Sequence, residues 1–286
     1  MGKNVRRCGF FTALGVALLI AGATQAAGVL RVGMTAGDLP TTNGNPDQGF
    51  EGYRFVGYNL YDSLVLWDLS GGDKASDITP GLATSWHIDP GNQKRWIFEL
   101  RHGVKWHDGS SFTADDVVWN LGYSFDQKSP QFNPAQFAQA RPYLGTFASV
   151  EKIDDYTVAF NTTVPDSLLP YEISYVLMIS PCRAKEVKYD WTQYMLHPSG
   201  TGPYKFDKIV EHQRLELVPN TGYWDKNRVP KQDRLVLMPM PEASTRTAAL
   251  LSGEVNWIEA PSPDAIDRLK SLTISRATHS ATRSIW

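Results

Sequence analysis

The stretch from Ser85 to Leu100 constrains the fold most. Ser85-Trp86-His87-Ile88 and Arg95-Trp96-Ile97-Phe98-Glu99-Leu100 flank Asp89-Pro90-Gly91-Asn92. A turn cluster between two aromatic-rich runs reads as a β-hairpin. Trp96, Phe98 and Leu100 alternate, so they share one face and must bury it together. The next turn is His107-Asp108-Gly109. Thr113 then caps a helix, with Asp116 as its reciprocal partner three residues on, and Val117, Val118, Leu121 and Phe125 form its buried stripe. A second hairpin spans Val150 to Phe160 and turns at Asp154-Asp155.

The rest of the chain mixes strands and helices without a strict repeat. Val29 to Met34 reads as a first strand, with Leu30 and Val32 on one face, and a Gly/Pro/Asn-rich loop runs from Gly37 to Gly49. A helix follows, with Tyr53, Val56, Leu60 and Leu64 near helical spacing. Residues 166–174 and 181–196 read as short helices around an apolar strand, Val176 to Ser180. Strands are expected at Tyr204–Ile209, Arg214–Val218, Arg234–Met238 and Val255–Ile258. A helix over Glu242–Leu251 ends at Ser252-Gly253, and another opens at Pro261-Ser262-Pro263 and runs to Leu269. This pattern gives an α/β (mixed α+β) fold.

The formal net charge of −2 supplies no basic field for nucleic acid. No G-x-S-x-G, H-E-x-x-H, C-x-x-C, Walker or dinucleotide glycine motif occurs. His102 and His107 are spaced for neither one helical face nor one strand face, so they read as loop residues and not as a metal pair. Asp115-Asp116 opens a helix and Asp154-Asp155 turns a hairpin, which are structural places for acids. No metal, cofactor or catalytic residue is expected, and a secreted hydrolase acting through two carboxylates finds no motif. Trp86, Trp96, Phe98 and Trp106 read as core. Tyr53, Tyr58 and Tyr61 follow a long polar loop and are placed either in the core or at a cleft.

Residues 1–27 read as a secretory signal. Lys3, Arg6 and Arg7 precede an apolar run from Phe10 to Ala23 that is too short to span a bilayer, and small residues close it near Ala26-Ala27. Removing it takes three basic residues and no acid, which moves the net charge from −2 to −5. Only Cys182 would then remain, so no internal disulfide is available and an idle or packed thiol is expected.

Four passages together resemble the family 5 extracellular solute-binding proteins, the peptide and dipeptide receptors of bacterial ABC importers. They are Pro80-Gly81-Leu82-Ala83-Thr84-Ser85-Trp86; Phe98-Glu99-Leu100-Arg101-His102-Gly103-Val104-Lys105-Trp106-His107-Asp108-Gly109 with Phe112-Thr113-Ala114-Asp115-Asp116-Val117; Gly200-Thr201-Gly202-Pro203-Tyr204 with Asn220-Thr221-Gly222-Tyr223-Trp224; and Arg246 to Val255. The resemblance covers about residues 29–270. It implies a periplasmic binding protein-like type II fold with two lobes that close on a ligand, no covalent chemistry, a periplasmic location, an ABC transporter permease as partner, and a monomer when complete. Ligands in such a family extend from peptides to haem, nickel complexes and sugars, so the fold leaves the solute open.

On this frame, residues 28–65 are the first part of lobe I, 66–195 an inserted subdomain, 196–270 the return of lobe I and 271–286 an irregular tail. Lobe II is expected to be largely missing, because the chain stops at Trp286 and the Ser/Thr/Arg-rich tail loses apolar periodicity. A truncated, non-functional relic is the alternative reading. The expected contacts to a peptide or similar small solute are Thr35, Ala36, Gly37 and Asp38 after the first strand, Tyr53, and Glu259, Ala260 and Pro261 at the crossover. Asp38 and Glu259 are assigned to a cationic ligand group.

Overall fold

The computed structural model describes residues 28–69 and 75–271. The signal reading and all but the first residue of the irregular tail lie outside the described residues. Eleven strands are described: β1 (Val29–Met34), β2 (Val65–Trp67), β3 (Ile78–Pro80), β4 (Ala83–Asp89), β5 (Asn92–Leu100), β6 (Phe147–Asp154), β7 (Thr157–Thr162), β8 (Tyr204–Val210), β9 (Arg214–Pro219), β10 (Arg234–Pro239) and β11 (Trp257–Ile258).

Two principal sheets form. One has the order β11-β1-β10-β9-β8, with β1 parallel to both β10 and β11 and the β8-β9-β10 part antiparallel. The other is the antiparallel sheet β4-β5-β7-β6, built from the two hairpins expected from the turn residues. Phe98 pairs with Val158 and Trp96 with Phe160 across β5 and β7, so the alternating apolar face of one hairpin continues on the next. A β2–β3 ladder lies between the two sheets in sequence.

Each sheet has its own apolar core, and the helix Ala114–Phe125 takes part in both. Val117 and Leu121 belong to the cluster with Phe98, Trp106 and Phe160, whereas Tyr123 and Trp119 join the one with Val32, Leu217 and Leu237. The helix therefore buries more than the expected stripe. Tyr123 donates its hydroxyl to the Asn43 carbonyl at 2.7 Å, and buried Asn120 faces the 176–180 segment. At its start, the Thr113 amide donates to the Asp116 carboxylate at 2.9 Å, which is the expected reciprocal cap.

Three expectations are corrected. The helix through Tyr53 ends at Leu60, and Tyr53–Gly57 is a π-helical turn, so Leu64 lies beyond it. The apolar run Val176–Ser180 is buried but is not a strand. Its backbone is satisfied by side chains and loops: Leu177 N donates to Asn45 Oδ1 at 2.8 Å, Ile179 N to Asn120 Oδ1 at 2.8 Å and Met178 N to the Asp62 carbonyl at 3.0 Å. Apolar periodicity cannot distinguish such a segment from a buried strand. Finally, β11 keeps only Trp257–Ile258 of the expected Val255–Ile258 strand. Cys182 is exposed.

Candidate functional site

Because β1 runs parallel to β10 and β11, the carboxyl ends of these three strands meet at one edge. Thr35 follows β1, Met240 follows β10 and Glu259 follows β11. Side chains that leave a parallel sheet at this end are free of the ladder and converge on a crevice, the usual position of a ligand in open sheets of this kind. The close approach of the strands is set in part by Gly33. A Cβ there would stand 3.2 Å from Met240 Sδ and 3.3 Å from Ile258 Cγ2.

At this edge, Thr35 Oγ1 donates to Glu259 Oε2 at 3.1 Å and the Arg54 guanidinium meets Glu259 Oε1 at 2.7 Å. Arg54 also meets Glu51 at 3.1 Å. The structure therefore brings together two of the predicted residues, Thr35 and Glu259, around an arginine the sequence reading passed over. Ala260 is exposed at φ +45°, and Pro261 is half-buried beside it. Gly37 is exposed in the loop after β1. Asp38 points elsewhere, to His212 Nδ1 at 2.6 Å in the β8–β9 turn. The Leu39 amide, 2.7 Å from Asp38 Oδ1, holds that carboxyl below the usual carboxylate range, with His212 acting in the same direction.

Ala36 and Tyr53 are buried, at 2% and 1% exposure, and Tyr53 donates its hydroxyl to the Tyr175 carbonyl at 2.9 Å. Tyr53 is thus a core residue, packed against Tyr58, Tyr143 and Tyr175. The set of rings continues outward from it: Tyr143 and Tyr175 stack at 4.3 Å, Trp67 lies 5.7 Å from Tyr175 and 6.0 Å from the exposed Tyr171, and the exposed Phe50 is 6.2 Å from Tyr175. Burial pushes the Tyr58, Tyr143 and Tyr175 hydroxyls above the ordinary phenol range, so these rings are neutral donors at any physiological pH.

Arg246 is the second residue that sequence reasoning left without a role. At 3% exposure its guanidinium donates to four carbonyls: Met240 and Pro241 at 2.6 Å, and Glu259 and Ala260 at 2.9 Å. It ties the carboxyl end of β10 to that of β11 and so positions Glu259. The signal was a charged residue on the otherwise apolar face of the helix Ala243–Ser252.

Parts of the second and third passages that carried the resemblance meet at a second junction, around His107 and Asp62, whereas the fourth, through Arg246, lies at the strand-end edge itself. Gly200 and Gly202 run so close to the 59–61 backbone that a Cβ would fall 1.9 Å and 2.5 Å from Leu60 atoms. The Gly200 amide donates to His107 Nδ1 at 3.2 Å, and His107 Nε2 donates to the Gly202 carbonyl at 3.0 Å. Buried Asp62 accepts from Thr201 at 2.9 Å, Tyr223 at 2.8 Å and Trp224 at 2.9 Å.

The sequence signature of the bacterial extracellular solute-binding proteins, family 5 (middle), matches residues 77–285. The chain belongs to this family. It is 31% identical over 229 residues to the dipeptide-binding protein of Escherichia coli, covering 74% of this chain and 41% of that protein. It is 31% identical over 233 residues to the heme-binding protein A of Haemophilus influenzae, covering 77% and 41%. The chain thus spans less than half the length of these curated relatives. In structure it is similar to a periplasmic binding protein associated with an ABC transporter from Helicobacter pylori, solved in complex with the peptide STSA. The TM-score is 0.71 at 27% identity, over 86% of this chain and 49% of that one. The fold is that of the periplasmic binding proteins, represented over about half their length.

Proposed function

We propose that this chain is the ligand-receiving part of an exported receptor that takes up a peptide or similar small solute and passes it to an ABC transporter permease. The role is binding without catalysis, in the periplasm, after removal of the N-terminal signal. The carrying observation is the convergence of Thr35, Arg54 and Glu259 at the carboxyl ends of three neighbouring strands. Family membership and relatives named for dipeptide and haem binding support the solute-binding role.

In this reading residues 28–65 and 196–270 form lobe I, and 66–195 the inserted subdomain. The five-stranded sheet supports the division, since its strands come from 29–34 and 204–258, while the four-stranded sheet comes from 83–162. Closure of a second lobe over the edge would bury the ligand and exclude water from its polar contacts. The contacts are Thr35, Gly37, Glu259, Ala260 and Pro261, with Asp38 beside them and Ala36 and Tyr53 as support.

Calorimetric titration of the purified chain with Ala-Ala tests this. Binding is expected, and Glu259→Ala should weaken it at least ten-fold through loss of a charge-assisted contact to the ligand ammonium. Unchanged affinity in Glu259→Ala would remove the site from this edge. Failure of Ala-Ala and of longer peptides to bind at all would count against the receptor reading.

A further inference from the structure

Beside Arg54 the surface opens into a cavity of about 170 Å³ lined by Tyr58, Tyr61, Leu66, Trp67 and Leu69, with Arg54 and Arg228 also on its wall. A void of ~150 Å³ with apolar walls accommodates a benzene ring. The walls here include three aromatic rings and two leucines, which favour a flat apolar group over a flexible polar one.

The polar groups at its rim are not equivalent. Arg54 is engaged by Glu51 and Glu259. Asp62 lines the cavity as well, but both of its oxygens are taken: Oδ1 by Tyr223, and Oδ2 by Thr201 and Trp224. Asp225, in an adjoining hollow of about 490 Å³, accepts from the Asn227 amide at 3.0 Å. Arg228 forms no ion pair with any described residue, and its guanidinium stands 5.8 Å from the centroid of Tyr223. A half-buried guanidinium with donors to spare on the wall of an aromatic-lined cavity is suited to a carboxylate.

We propose that this cavity is a specificity subsite for an aromatic ring that carries a carboxylate within a few bonds. That chemistry belongs equally to the C-terminal aromatic residue of a peptide and to a free aromatic acid. The subsite deepens the receptor reading and rests on it, since it opens directly from the strand-end site through Arg54.

Dissociation constants from ligand-observed NMR on the purified chain test the assignment, with phenylacetate, phenylacetamide, Ala-Phe, Ala-Phe-amide and Ala-Ala as probes. Each acid is expected to bind at least ten-fold more tightly than its amide if it is the natural source. A preference confined to Ala-Phe identifies a peptide, and one confined to phenylacetate a free acid. Arg228→Met should abolish the acid-over-amide preference, and Leu66→Trp, which fills the slot, should remove ring binding. An unchanged urea midpoint for Arg228→Met establishes that the loss is not unfolding. If acids and amides bind alike, or the preference survives Arg228→Met, the subsite is overturned. Tight Ala-Ala binding with no gain for Ala-Phe and no phenylacetate binding overturns the subsite and leaves the receptor reading intact. Absence of binding by every probe overturns both.

Discussion

Arg246 shows how much one buried charge can organise. Its four carbonyl partners come from the segments after β10 and β11, and no other side chain could serve all four. Arg246→Met takes the shared donor from those carbonyls, of which the Met240 bond is buried and the others part-buried, and should lower stability by about 1–3 kcal/mol in urea denaturation. Arg246→Lys keeps the charge but not the planar fork, so it should recover only part of the loss. Wild-type stability in Arg246→Lys would show that charge alone matters. His107 gives a pH-dependent counterpart. One of its nitrogens accepts from Gly200 and the other donates to Gly202, an arrangement that fits only the neutral ring, and burial lowers its pKa from 6.5 to about 4. Between those values the unfolded chain binds the proton and the native chain does not, so His107 makes stability fall as pH drops from 6.5 towards 4. Glu172 acts oppositely. Burial and the nearby Asp166 raise its pKa from 4.5 to about 7, so the native chain holds a proton the unfolded chain has lost, and stability falls as pH rises across that window. The two contributions offset each other in the wild type. Glu172→Gln should therefore show a steeper loss of stability between pH 6.5 and pH 4.5 than the wild type, measured by urea midpoints. An identical slope would contradict this assignment.

At the scale of elements, the hairpins and the capped helix were legible because their signals are local. Asp89-Pro90-Gly91-Asn92 turns where its dihedral preferences dictate, and Thr113 and Asp116 close their cap within four residues. The 176–180 segment was not legible, because what prevents it from joining a sheet is distant in sequence. Asn45 and Asn120 reach it from the first loop and the central helix and bond its backbone in place of a neighbouring strand. Asn120 both accepts from Ile179 N at 2.8 Å and donates to Ile179 O at 2.9 Å, the pairing a strand residue would make. Asn120→Leu should cost about 2–3 kcal/mol despite adding apolar surface, since it strands two buried backbone groups. Hydrogen exchange gives the local readout: the Ile179 amide should lose protection well before those of β5. Equal protection in the variant would mean that another group satisfies this backbone. The candidate site divides in the same way. Thr35 and Glu259 were readable as the residues after two strands, whereas Arg54 was hidden on a helix whose π-turn shifts side-chain phase relative to regular helical spacing.

At the scale of the whole molecule, two sheets with separate cores raise the question of whether they unfold as one unit. The helix Ala114–Phe125 contributes Val117 and Leu121 to one core and Tyr123 to the other. The Asp62 junction adds a second tie. Its carboxylate gathers donors from the loop before β8 and from the turn after β9, and its carbonyl accepts from Met178. Coupling through one shared helix and one buried carboxylate should make equilibrium unfolding a single transition, seen together by tryptophan fluorescence and by far-ultraviolet circular dichroism. Asp62→Ala removes the shared acceptor and leaves Thr201, Tyr223 and Trp224 donors without it, which weakens the tie more than either core. In that variant the two probes should separate. The fluorescence change, which follows Trp96 and Trp106 in one core and Trp119, Trp191 and Trp257 against the other, should spread over a different range of urea concentration from the loss of overall secondary structure. Coincident transitions in Asp62→Ala would place the coupling in the helix alone. Tyr123→Leu, which removes the hydroxyl bond to Asn43 while keeping an apolar side chain, should then be the change that separates them.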